Sequence, residues 1–224
     1  MTDPLVAKLE GRLIVSCQAY PGEPLRHPET MAQMARAAEL GGAAAIRCQG
    51  LSDIAAIKGR VDIPVIGLWK EGHDGVYITP TLRHARACIS AGCDVVALDA
   101  TDRPRPDGRT FGETVEALQG ETLVMADCAC RDDVQRALDA GCAIVSTTLA
   151  GYVPGGREKT DGPDLEFLRE AVALAGDVPV FCEGRIHTTA DAQAAMDAGA
   201  FAIVVGTAIT HPTSLTSWFA EAIG

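Results

Sequence analysis

Aromatic side chains are scarce in this chain of 224 residues: two tryptophans, three tyrosines and five phenylalanines. A core built without them must draw on Ala, Val, Ile and Gly, which suits close packing of helices on a sheet. Basic charge is also in deficit, with a formal net charge of -11. That excludes nucleic acid as the main partner, because such binding rests on basic patches. It does not exclude a small anion, since one pocket can be locally positive. No apolar run approaches the ~18 residues needed to span a membrane. The start Met1-Thr2-Asp3-Pro4 has no signal-peptide pattern. Both point to a cytoplasmic protein.

Metal and redox signatures are missing as well. The eight cysteines are Cys17, Cys48, Cys88, Cys93, Cys128, Cys130, Cys142 and Cys182. Most sit in apolar runs, where a thiol packs as a small hydrophobe. Cys128 and Cys130 flank one residue, a spacing too tight for the usual zinc pair. His27, His73, His84 and His187 show no paired spacing. No metal and no cofactor are expected.

What is present is a repeat. Eight short β-branched runs occur: LIVSC (13–17), AAIRC (44–48), PVIGL (64–68), DVVALD (94–99), TLVMAD (122–127), AIVSTT (143–148), PVFCE (179–183) and AIVVG (202–206). They are continuous rather than alternating, as in parallel strands covered on both faces. Helical patterns separate them, at 28–40, 81–91, 132–140 and 189–198. Four times a helix ends at Ala-Gly or Gly-Gly and the next strand follows at once, at Gly42, Gly92, Gly141 and Gly199. Glycine there supplies a left-handed helix end. Strand and helix alternating eight times predict one (β/α)8 barrel over residues 1–224, of the phosphate-binding type. A doubly wound open sheet is the rival, but its glycine fingerprint after the first strand is absent. The longest loop signal, GYVPGGREKTDGPD (151–164), follows the sixth strand.

In this fold chemistry sits where strands end. Strands 1, 3, 5 and 7 close on Gln18, Lys70, Asp127 and Glu183. Barrel side chains stack in layers drawn from alternate strands, so these four are expected to form one layer at the mouth. Beneath lie Ser16, Leu68, Met125 and Phe181, mostly apolar. A charged residue after a strand is often only the first solvated loop residue; four in one layer argue for more. Strands 3 and 7 are opposite, so Lys70 and Glu183 face each other across a ligand. Such a pair suits removal of a proton from one face of a carbon beside a carbonyl and its return on the other. Apolar walls around Lys70 would lower its pKa enough for a base.

Arg47 interrupts an apolar strand, which is costly unless it meets an anion. Its structural explanation would be a salt bridge, with Asp99 as the candidate partner. Arg103 and Arg105 are expected to coat the rim. The last two units carry a phosphate signal: Gly184 and Arg185 after strand 7, Gly206 and Thr207 after strand 8, then His211 before Pro212 opens the final helix. Loops 7 and 8 are the usual phosphate cradle of this fold.

Nearly end to end, the chain resembles the N-acetylmannosamine-6-phosphate 2-epimerases of bacterial sialic acid catabolism. LIVSCQA, IRCQG, PVIGLWK, ALDATDRPRP, CEGRI and VVGTAIT carry the resemblance. It implies interconversion of N-acetylmannosamine 6-phosphate and N-acetylglucosamine 6-phosphate at C2, without redox cofactor or metal. It also implies that Lys70 is the base, that Glu183 is its acid–base partner, and that Gln18, Arg47 and Asp127 contact the sugar. Many family members have Arg where this chain has His211. A histidine is only partly charged near pH 7, so a pH-sensitive phosphate grip is expected. Two other readings stay open: a Schiff-base aldolase with Lys70 as nucleophile, and a sugar-phosphate-binding barrel without catalysis. Trp218 and Phe219 in the final helix, with the resemblance, suggest a homodimer.

Overall fold

The computed structural model describes residues 2–224 and forms one closed barrel. Eight parallel strands pair in chain order, and β8 closes on β1. They are β1 Leu13–Cys17, β2 Ala45–Gln49, β3 Val65–Leu68, β4 Val95–Asp99, β5 Leu123–Asp127, β6 Ile144–Ser146, β7 Val180–Glu183 and β8 Ala202–Val205. The outer ring holds α2 Pro28–Leu40, α3 Leu51–Lys58, α4 Leu82–Ser90, α5 Phe111–Glu116, α6 Arg131–Asp139, α7 Leu165–Ala175 and α8 Thr189–Asp197. Three more helices lie at the chain ends: α1 Pro4–Ala7, α9 Thr207–Thr210 and α10 Pro212–Ile223. The (β/α)8 expectation holds. β6 stops two residues short of the predicted run.

The core has two layers. Inside the barrel, Ile66, Leu68, Val95, Met125, Phe181 and Val204 pack on one another. Val6 and Leu9 join this cluster beside Ile14, Ala45, Ile144 and Ala202, at the starts of their strands. The N-terminal segment therefore plugs the bottom. Between sheet and helices, small residues such as Ala32, Ala35, Ala85, Ala137, Ala171 and Ala195 bring the helices close. Gly67 shows how close: a Cβ there would stand 2.7 Å from Cys93 Cβ. The helix ends follow the glycine pattern, with Gly92, Gly141 and Gly199 in the left-handed region just past the caps of α4, α6 and α8.

The cysteines take packing positions. All eight are free, and all but Cys130 are buried. Burial pushes the Cys17 and Cys142 thiols up to about 12, so they stay protonated. No helix among the described residues is long and apolar enough to cross a membrane.

Candidate active site at the barrel mouth

A cavity of about 360 Å³ opens at the strand ends, lined among others by Gln18, Lys70, Thr148, Tyr152, Glu183 and His211. That is within the usual range for small-molecule sites.

Lys70 lies just beyond β3. Its backbone is held by an antiparallel bridge to Ile78, part of a return turn in which Thr79 N–H donates to the Trp69 carbonyl at 2.8 Å. Thr79 is fully buried with φ 47, a left-handed conformation that costs a β-branched residue ~1–3 kcal/mol. Its Oγ1 accepts from Trp69 N–H at 3.2 Å, so the strained residue fixes the segment that carries Lys70. Behind it, His84 contacts Thr81 Oγ1 at 2.6 Å and Glu71 Oε2 at 2.9 Å, and its ring meets the Trp69 indole edge-on. Burial lowers the Lys70 pKa to about 8, and the nearby Arg47 charge adds to the effect. Its Nζ stands 5.7 Å from the centre of the Tyr20 ring.

Glu183 ends β7. Thr147 clamps its main chain: the hydroxyl donates to Glu183 O at 3.0 Å and accepts from Glu183 N–H at 3.1 Å. Burial raises the Glu183 pKa to about 7; Arg47 opposes this and the Asp127 charge reinforces it. Arg47 Nη1 lies 3.2 Å from its Oε2.

Beneath the cavity Arg47 spans the barrel to Asp127, in a two-pronged pair at 2.9 and 2.6 Å. Both side chains are essentially inaccessible. Burial opposes the Arg47 charge, but Asp127 and Glu183 outweigh it and hold the guanidinium protonated. Asp99 is therefore not its partner. Asp99 is saturated locally, by Arg103 at 2.6 Å and by the N–H and hydroxyl of Thr101. Nor does Arg105 coat the rim: it is buried, donates to the Asp99 carbonyl and lies 5.5 Å over the Phe111 ring.

Gln18 donates through Nε2 to Ser16 Oγ at 2.9 Å. Its Oε1 is buried and, among the described residues, has no donor. Gln18, Lys70 and Glu183 thus line the cavity as the layering predicts, with Leu68, Met125 and Phe181 below. Asp127, the fourth member, lies on the floor with Arg47 and does not line the cavity.

Gly184, Arg185, Gly206, Thr207 and His211 gather on one side of the same cavity. The Arg185 guanidinium has a structural task as well. It donates to Ala150 O, Gly162 O and Thr160 Oγ1 at 2.8, 3.0 and 2.9 Å, latching the loop between β6 and α7. Three of its five N–H donors are used in this way, and the residue still lines the cavity. His211 is partly engaged too: Nδ1 meets Ser214 Oγ at 2.7 Å, and Nε2 faces Glu23 at 3.3 Å. The latched loop brings Tyr152 to the cavity, between Lys159 and Arg185 at 5.4 and 5.2 Å.

Sequence reasoning missed Tyr20, Tyr77 and Tyr152 in the cavity wall, and Thr148, within 2.8 Å of Asp127 Oδ1 and 3.2 Å of Glu183 Oε2. For Thr148 the signal was available. Ser146 points inward on β6, so strand alternation brings Thr148 to the same side two residues on.

The sequence profile of a family described as "Putative N-acetylmannosamine-6-phosphate epimerase" matches residues 31–224. The chain belongs to this family. A Cutibacterium acnes protein named "Putative N-acetylmannosamine-6-phosphate 2-epimerase" is 61% identical over 225 residues, covering 99% of this chain and 98% of its own length. A Corynebacterium glutamicum protein of the same name is 51% identical over 221 residues, covering 97% and 95%. The solved N-acetylmannosamine-6-phosphate 2-epimerase from Clostridium perfringens superposes with a TM-score of 0.93 at 40% identity, over 99% of this chain and 97% of that one. These matches span nearly the whole chain.

Proposed function

We propose that the protein interconverts N-acetylmannosamine 6-phosphate and N-acetylglucosamine 6-phosphate, as an N-acylglucosamine-6-phosphate 2-epimerase in sialic acid breakdown. One observation carries the chemistry. Lys70 and Glu183 come from opposite strands of an eight-stranded barrel, line one cavity, and have pKa values moved to about 8 and about 7. Both can therefore gain or lose a proton near neutral pH. The relatives' names supply the substrate.

With the sugar ring open, C1 is an aldehyde and the C2 proton is acidic. Lys70 takes that proton, leaving an enolate. Glu183 delivers a proton to the opposite face of C2, and the configuration inverts. The reverse reaction exchanges the two roles. The free Gln18 Oε1 is suited to accept the acetamido N–H, whose amide would otherwise turn freely. Arg47 and Asp127 act from below: their buried pair sets the field around Glu183 and the enolate. The phosphate rests on the main chain of Gly184, Arg185, Gly206 and Thr207 and on His211. No redox step is needed, because the carbon changes configuration and not oxidation state.

The quaternary proposal is a homodimer in the cytoplasm. It is supported by α10, which has no buried residue and leaves Phe219 and Ile223 74% and 88% exposed. Sedimentation at micromolar concentration tests it; a monomer would reject it.

The test of function is one NMR experiment. N-acetylmannosamine 6-phosphate is incubated with the protein in D2O and C2 is followed. Epimerisation with deuterium at C2 is expected. Neither exchange nor product would overturn the proposal. Borohydride trapping of a Lys70 adduct would favour an aldolase instead.

A further inference from the structure

Thr148 has one hydroxyl proton and three polar neighbours. Ser146 Oγ lies at 2.8 Å, Asp127 Oδ1 at 2.8 Å and Glu183 Oε2 at 3.2 Å. Two of these are carboxylates. If both were ionised, one proton would serve two acceptors, and a buried lone pair would face Glu183 Oε2 with nothing between. Counted as a donor to both, Thr148 would favour ionised Glu183. With one proton, that count fails. Asp127 is the closer acceptor, at 2.8 against 3.2 Å, and Arg47 holds it in a two-pronged pair. So the Thr148 proton goes to Asp127.

One arrangement then uses every hydroxyl proton once, with Arg47 Nη1 at 3.2 Å on the far side of Glu183 Oε2. Ser146 donates to one Thr148 lone pair. Glu183, protonated on Oε2, donates to the other. Every hydroxyl in the set has one donor role, and no lone pair is set against another. We propose that Thr148 is a positioning residue that holds Glu183 in its acid form by accepting its proton. This rests on the epimerase reading, in which Glu183 must carry a proton to C2, and deepens it. Thr147 and Thr148 then divide the work: one fixes the Glu183 main chain, the other sets the state of its carboxyl. The other charged or titratable groups around Glu183 are Arg47 from β2, Lys70 after β3, Asp127 from β5 and Tyr20 after β1. All are kept in the test.

The test reads the Glu183 carboxyl directly and needs no substrate. In protein labelled with 13C-glutamate, the Glu183 signal is assigned by its loss in Glu183→Gln. It is titrated from about pH 5 to about pH 9 in wild type, Thr148→Val and Thr148→Ser. In Thr148→Val the acid form loses its acceptor, so the midpoint should fall by about half a unit to one unit. Thr148→Ser keeps the hydroxyl and should titrate as wild type. Thr148→Ala serves the same purpose as Val should Val not fold. A midpoint that stays or rises in the hydroxyl-free variant would overturn the proposal, as would Thr148→Ser moving as far as Val. Rates give a second readout. In the pH profile of kcat, the lower bend should move down with the midpoint and the plateau should fall by the same factor, while KM holds within about twofold. Because the titration is substrate-free, absence of C2 exchange in wild type would reject the enzyme reading without touching this result.

Discussion

Two arginine–aspartate pairs stand side by side at the top of this barrel, and they do different things. Arg103 and Asp99 are four residues apart, and their ion pair, with Thr101 and Arg105, folds one loop onto itself. Arg47 and Asp127 are eighty residues apart and join β2 to β5 across the interior. The first pair has its partners nearby and borders solvent, with Arg103 20% exposed. The second is sealed and directs its remaining charge at Glu183. The same chemistry is a staple where the partners are local and an electrostatic support where it crosses the barrel. What separates them is the group on the third side.

The sharpest way to break this comparison is at that third side. Lys70→Ala and Glu183→Ala should each cut kcat by about a thousandfold while circular dichroism stays native; full activity in either would reject its role. The intact pair predicts a bell-shaped pH profile, with bends near 7 and 8 and about a tenfold fall per unit outside them. A flat profile between pH 5 and 9 would count against two titrating partners.

Next come the two arginines. Arg47→Met strands a buried Asp127 and should cost about 3–5 kcal/mol in denaturant unfolding. Arg103→Ala should cost about 1 kcal/mol, because Asp99 keeps Thr101 and solvent is close. Equal losses would erase the distinction between them. The smallest effect concerns stability against pH. The Glu183 pKa is raised on folding, so its contribution is whole below about 4.5 and is lost as pH rises through about 7. Replacing it by Gln removes that loss. Glu183→Gln should gain several degrees in Tm over wild type at pH 8 and little at pH 5.

Periodic features were legible in the sequence. Strand runs and glycine helix ends repeat, and repetition is a local signal; so was the polar layer of strand ends, because alternation carries it along each strand. The partner of Arg47 was not legible. Asp99 and Asp127 both end strands, and only closure of the barrel decides which one an arginine on β2 reaches; local saturation by Arg103 and Thr101 removes the other. The loop latch made by Arg185 was hidden for a related reason. A basic residue beside a glycine resembles an anion site, and nothing local shows that its side chain, at φ 56, also bonds the loop between β6 and α7. Thr148 was passed over as the end of a strand, since a hydroxyl there looks ordinary until two carboxylates are set against it.

The N-terminal plug has a consequence for traffic. With Val6 and Leu9 sealing the lower end, the barrel is a cup and not a tube. Whatever enters at the mouth must leave by the same door. Substrate, product and the water that exchanges with the carboxyl groups all share one passage, under Tyr20 and Tyr152. While a sugar fills it, the proton lifted from C2 has no second way out. Slow washout of that proton into solvent, relative to turnover, is then a property of the closed floor as much as of the residues at the rim.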